Sequence, residues 1–150
     1  MQSSGTPVKI LVKTEVNRDG KEEIFELTVF GKYYRKNNTT YFIYDEVMEH
    51  GNVHTVVKMT ESEEPRVQIS RKGAVNMRLF FQENKVMTGT YKTNIANFKA
   101  ETGTEKIHFE WDDERKEGIM MIKYHFFMQD VEVGTYKLEF TFKEDQVCVS

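Results

Sequence analysis

The chain has 150 residues and a formal net charge of −3, a length that suits one domain able to bury about 68–70% of its unfolded surface. Val, Ile and Thr supply 37 residues, Leu and Ala only 7, and 19 more are aromatic. Such side chains lose rotamer freedom on a helix and pack well on a pleated sheet, so helical bundles and doubly wound α/β folds are disfavoured and an all-β barrel or sandwich remains.

Turn signals divide the chain into short runs at regular spacing. Val8–Val16 closes at Asn17-Arg18-Asp19-Gly20, where Asp-Gly between alternating runs marks a hairpin. Glu22–Arg35 closes at Lys36-Asn37-Asn38, and Thr40–Met48 and Val53–Thr60 flank Glu49-His50-Gly51-Asn52. Pro65 precedes a short strand, Arg66–Ser70, placed where its missing N–H does least harm. Ala74–Gln82 and Lys85–Lys92 form a hairpin around Glu83-Asn84. Phe98–Trp111, Ile119–Gln129 and Val133–Lys143 complete about ten strands in one domain spanning 1–150, with 1–7 and 144–150 as flexible tails. Asp45–His50 and Thr93–Asn97 each have room for one helical turn, well short of a full helix.

Face parity sharpens the class. Tyr136, Leu138, Phe140 and Phe142 alternate with Thr135, Lys137, Glu139 and Thr141, giving one buried and one wet face. Phe25, Leu27, Val29, Gly31 and Tyr33 share a face, as do Met87, Gly89 and Tyr91, and Gly134 precedes Tyr136. A glycine within an apolar row marks a bend, a bulge or a close backbone approach. Its recurrence predicts a sheet that curls into a closed barrel and so removes its edges. Ile119–Ile122 and Phe126–Met128 are apolar on both faces, which predicts either a covered strand or a self-association patch.

Charge is segregated. Arg66, Arg71, Lys72, Arg78, Lys85, Lys92 and Lys99 share their stretch with one acid, Glu83, while both flanks are acidic. In a meander of sequence neighbours this predicts cross-strand ion pairs. Net negative charge and the lack of an aromatic RNA-binding motif argue against nucleic acid as a partner.

Arg71, Gly73, Val75, Met77 and Phe81 fit an R-x-G-x-V-x-M-x-x-x-F pattern. Tyr91-Lys92-Thr93 with Thr102 and Thr104, the stretch Tyr41, Tyr44, Glu46, Gly51, Val53, Thr55 and Lys58, and the late strand Gly118–Tyr124 extend it, with no glycine near Ala96. Over Val8–Phe142 the chain thus resembles the uncharacterised bacterial YwiB-like β-barrel family. The resemblance implies a closed antiparallel calycin-like (lipocalin-like) barrel of about 8–10 meandering strands, wide enough for one small ligand, and implies no reaction.

The usual catalytic motifs are absent: no nucleophile elbow, no phosphate-binding loop, no zinc-protease helix and no dinucleotide fingerprint. His50 and His54 read as solvated loop residues rather than metal ligands, and His108 and His125 as a polar cross-strand pair able to approach across a hairpin. One thiol, Cys148, makes neither an internal disulfide nor a cysteine-based zinc site. With no basic-then-apolar leader and no run of about 18 apolar residues, the expectation is a cytoplasmic protein without membrane contact, cofactor or metal.

The functional expectation is therefore a binding barrel for a small apolar or anionic molecule. Its lining or mouth is expected to hold Arg71, Tyr33, Tyr91, Met77, Phe81, Tyr136 and Phe140. Parity sends Arg78 outward, whereas Arg71 stands at the mouth or points inside, to pair with an internal carboxylate or with a ligand's. The alternative is a filled barrel that uses the apolar strand 119–129 to bind a protein partner or to form a homo-oligomer.

Overall fold

The structure, a computed structural model, describes residues 5–145. Ten strands follow in chain order: β1 (Thr6–Arg18), β2 (Lys21–Lys36), β3 (Thr39–Met48), β4 (Gly51–Thr60), β5 (Arg66–Gly73), β6 (Asn76–Gln82), β7 (Val86–Lys92), β8 (Asn97–Asp112), β9 (Glu117–Met128) and β10 (Val131–Glu144). Each is antiparallel to its neighbours in sequence, and β1 pairs with β10, so the sheet closes on itself. The all-β closed barrel expected from composition and parity is what forms. Asp19 and Gly20 both have positive φ, the geometry that matches a two-residue hairpin turn to the twist of its strands.

Two local expectations are corrected. Asp45–Met48 ends β3, because pairing with Gly51–His54 supplies backbone hydrogen bonds that one isolated helical turn cannot match. Thr93–Ala96 is a turn in which the Thr93 hydroxyl accepts from the N–H groups of Ile95 and Ala96 at 3.3 and 3.2 Å. Thr6, Pro7 and Glu144, assigned to the tails, lie in β1 and β10, with Thr6 opposite Tyr33 and Glu144 opposite Val8. Cys148 and the remaining tail residues lie outside the described residues.

The inward rows form the core. Val8, Ile10, Phe42, Val57, Met59, Phe81, Met120, Ile122, Phe140 and Phe142 are almost completely buried. Each contributes about 1.5–3 kcal/mol by leaving water. Bulges at Thr104/Lys106 and at Glu132/Gly134 bend β8 and β10. The first sends Glu105 and Lys106 outward together, so that Thr104 and Ile107 both keep facing in.

The wall is not uniformly zipped. Pairing of β2 with β3 runs only from Gly31↔Tyr44 to Lys36↔Thr39, so among the described residues β2 before Gly31 is bonded to β1 alone. Pairing of β6 with β7 likewise stops at Arg78↔Thr90. A glycine sits at each parting point. A Cβ at Gly31 would run into the Ile43 carbonyl oxygen, and one at Gly89 into that of Arg78. These inward glycines let one strand press against the next just before the two separate. The second gap is filled from beneath. The Thr102 hydroxyl donates to the Phe80 carbonyl, and Asn84 N–H donates to the Thr104 carbonyl at 2.8 Å. The first gap stays open and forms one mouth of the barrel.

Candidate functional site: the open mouth

Beside that gap lies a cavity of about 280 Å³. Its apolar walls are Val12 of β1, Phe25 and Leu27 of β2, Ile69 of β5, Met77 and Leu79 of β6, and Leu138 and Phe140 of β10. Tyr124 and Tyr136 close one side as a stacked pair with centroids 5.4 Å apart. Burial, with Tyr136 beside it, holds the Tyr124 hydroxyl above the ordinary phenol range.

Polar groups gather in one corner. Alternation along β3 brings Phe42, Tyr44 and Glu46 inward, and alternation along β5 does the same for Val67, Ile69 and Arg71. The Arg71 guanidinium donates to a Glu46 carboxylate oxygen at 3.1 Å, with side-chain exposures of 23% and 15%. Thr55 of β4 stands between them in register, opposite Tyr44 on one side and Arg71 on the other. Its side chain is fully buried, with the hydroxyl beside the Tyr44 phenol and behind the cavity wall. Burial keeps the Tyr44 phenol protonated well above its ordinary range; the nearby Glu46 adds to this, and Arg71 and the Thr55 hydroxyl oppose it. An apolar cavity with a few convergent polar groups is the usual form of a small-molecule site.

Four of the seven expected lining residues meet here: Arg71, Met77, Tyr136 and Phe140. The other three do not. Phe81 is sealed in the core, edge-on to Tyr124 with centroids 4.8 Å apart. Tyr91 packs against Phe98 and the core cluster. Tyr33 belongs to the opposite end, stacked on Trp111 at 5.2 Å. Parity placed all seven inside, yet a long strand crosses the whole barrel, and parity does not say at which height a residue sits. The overlooked Glu46 had a sequence signal: it is the only acid on the row Phe42, Tyr44, Glu46, and an inward acid needs an inward cation.

Other expectations are corrected. His108 and His125 do not meet: His108 faces Met121 across the ladder, and His125 faces Gly103. His125 instead bridges two carboxylates, Nε2 to Glu105 at 2.8 Å and Nδ1 to Glu132 at 3.0 Å. His54 pairs with Asp45 at 2.7 Å. Among the described residues no group of three His, Cys, Asp or Glu side chains is placed to hold a metal. Of the seven cations in the basic stretch, only Arg71 and Lys99 face an acid partner among the described residues. The reason is register: Arg66 stands opposite Thr60 and Gln82, Lys72 opposite His54, Arg78 opposite Ser70 and Thr90, and Lys92 opposite Asn76 and Asn97, so no acid of the flanks reaches them.

The apolar surface also moves. Ile119, Met121, Phe127 and Met128 are only half exposed, because β9 lies between β8 and β10 and long polar neighbours cover it; Met121, for example, sits between His108 and Glu139. Exposed apolar side chains cluster instead on β2, with Ile24 at 51%, Phe25 at 55% and Phe30 at 63%. No helix among the described residues is long and apolar enough to cross a membrane.

Residues 10–140 match the family described as Domain of unknown function (DUF1934). The chain belongs to this family. Within its range of similarity lies the uncharacterized beta-barrel protein YwiB of Bacillus subtilis (strain 168), which is 30% identical over 138 residues covering 92% of this chain and 94% of that one. The crystal structure of the ywiB protein from Bacillus subtilis superposes with a TM-score of 0.82 at 28% identity, over 96% of this chain and 95% of the other. The DUF1934 barrel thus has the architecture that the sequence resemblance implied, and the family carries no assigned function.

Proposed function

We propose that this DUF1934 barrel is a cytoplasmic binding protein for a small, mostly apolar molecule. The molecule sits in the mouth cavity with its polar end toward Arg71, Glu46 and Tyr44. One observation carries the reading: at one end of the barrel, a cavity of about 280 Å³ joins continuous apolar walls to a polar corner around Arg71 and Glu46. A chain with one cysteine and no long apolar run suits a reducing, aqueous compartment. The test is a titration with small aromatic and aliphatic probes, followed by NMR of labelled methyl groups. Met77, Leu79 and Leu138 should shift, while Met59 and Val8, sealed in the core away from the mouth, stay still. Equal shifts at both ends, or none anywhere, would reject the reading.

A second reading, self-association through β2, is favoured by a separate observation. Ile24–Phe30 is an unpaired strand edge that carries no lysine, proline or glycine, the residues that usually protect such edges. A second copy presents the same alternating donors and acceptors, and a two-fold axis makes the two edges complementary.

A further inference from the structure

We infer that the mouth cavity selects an uncharged molecule with a carbonyl-type acceptor oxygen on its apolar body, in preference to a carboxylate. This rests on the binding reading above and narrows it to a ligand class. The argument is a count of charges and of donors at the polar corner.

Among the described residues Arg71 is the only cation on the cavity wall, and Glu46 already neutralises it at 3.1 Å. A second carboxylate, Glu26, stands at the rim, so the lining as a whole carries an excess negative charge. A carboxylate ligand would have to displace Glu46 from Arg71 and leave that half-buried acid without its partner. Leaving one member of a desolvated pair unmatched is costly. An uncharged acceptor meets no such conflict.

The corner is nevertheless rich in donors. A guanidinium has five N–H donors in a planar fork, and only one contact, that with Glu46, is made by Arg71. The Tyr44 phenol stays protonated and able to donate, because burial opposes its ionisation. Unmatched buried donors are expensive, and a carbonyl oxygen delivered by a ligand satisfies them without adding charge. The remaining walls, from Ile69 across Leu79 to Phe140, accept only apolar surface.

Three probes with one ring body separate the possibilities: acetophenone, benzoate and ethylbenzene. Binding is read from the Met77 methyl signal. In the wild-type chain acetophenone should bind about tenfold more tightly than benzoate, and several-fold more tightly than ethylbenzene, the scale expected for one added hydrogen bond against one unmatched charge. Glu46→Gln frees Arg71 without changing its place, so benzoate should gain at least about tenfold and overtake acetophenone. Arg71→Met should erase most of the preference for acetophenone over ethylbenzene. Benzoate binding tightest to the wild type would overturn this inference and leave the cavity reading intact. Failure of all three probes to move Met77 would overturn both. The wild-type comparison needs no variant, so a poorly folded mutant cannot decide the outcome.

Discussion

The two ends of this barrel are built from similar residues and reach opposite results. At the closed end, Phe142 packs against Phe42 with centroids 4.2 Å apart and stacks with Trp111 at 5.6 Å, while Tyr33 lies over all three rings. The Trp111 indole N–H donates to Asp113 at 3.0 Å, so even its polar atom is matched. At the mouth, Tyr124, Tyr136 and Phe140 supply comparable aromatic area, but β2 parts from β3 at Gly31 and the ring of side chains never meets across the gap. The lesson is that strand pairing, more than side-chain size, decides whether a barrel end becomes core or cavity.

That comparison breaks most sharply under truncation. Phe142→Ala should cost about 3–5 kcal/mol, the range for a fully buried aromatic, since it removes the hub of the closed end. Met77→Ala, at the half-exposed mouth, should cost under about 2 kcal/mol, because water already reaches the site. Denaturant unfolding measures both. The binding consequences run the other way: the folded fraction of Phe142→Ala should still bind apolar probes, whereas Met77→Ala should change the size of probe preferred. Equal stability losses would mean that the mouth is packed as tightly as the closed end.

A smaller effect tests the open edge. If β2 pairs with a second copy, light scattering at rising concentration should show a mass climbing from 17.7 kDa toward twice that value. Ile24→Lys and Phe30→Lys should return it to the monomer with little loss of stability, as both side chains are largely exposed and a lysine blunts a strand edge. A wild-type mass that stays at the monomer value, with apolar probes still bound at the mouth, would make the exposed β2 residues part of the cavity's rim and nothing more.

Much of this was legible in the residues, and the limits are equally physical. Tyr136, Leu138, Phe140 and Phe142 announced one buried face, and Asp19-Gly20 announced its hairpin, because period-two alternation and positive φ are local properties. The inward glycines at 31 and 89 marked close approaches. What they did not reveal was that β2 and β3 would separate there, since the choice between a zipped and a parted pair depends on the curvature of the whole wall. For the same reason Phe25 and Leu27 read as core and turned out exposed, while Tyr33, eight residues beyond Phe25 on the same row, turned out half-buried against Trp111. Arg71 could be named from its motif; its partner Glu46 required the register of three strands, β3, β4 and β5, to be known together.

The mildest test concerns an outer-surface bridge that neither end contains. The β8 bulge turns Glu105 outward onto His125, whose other ring nitrogen faces Glu132. Hydrogen bonding to Glu132 and then to Glu105 raises the His125 pKa above its usual 6.5. The hydrogen bond from His125, with Lys123 nearby, lowers the Glu105 carboxyl below its usual 4.5. A raised histidine stabilises the fold fully below 6.5, and its contribution disappears as pH rises through the higher folded-state value. A depressed carboxyl contributes above 4.5, and that part is lost as pH falls through the lower folded-state value. The bridge is therefore strongest between those two ordinary values. His125→Gln should lower the unfolding midpoint at about pH 6 and leave it nearly unchanged at about pH 9, where the wild-type imidazole is neutral. NMR titration of the imidazole should place its midpoint above the value of free histidine, and Glu132→Gln should bring it back down. Both sites are exposed, so the change is small, and its sign carries the information: a midpoint below that of free histidine would mean that desolvation outweighs the two carboxylates at this bulge.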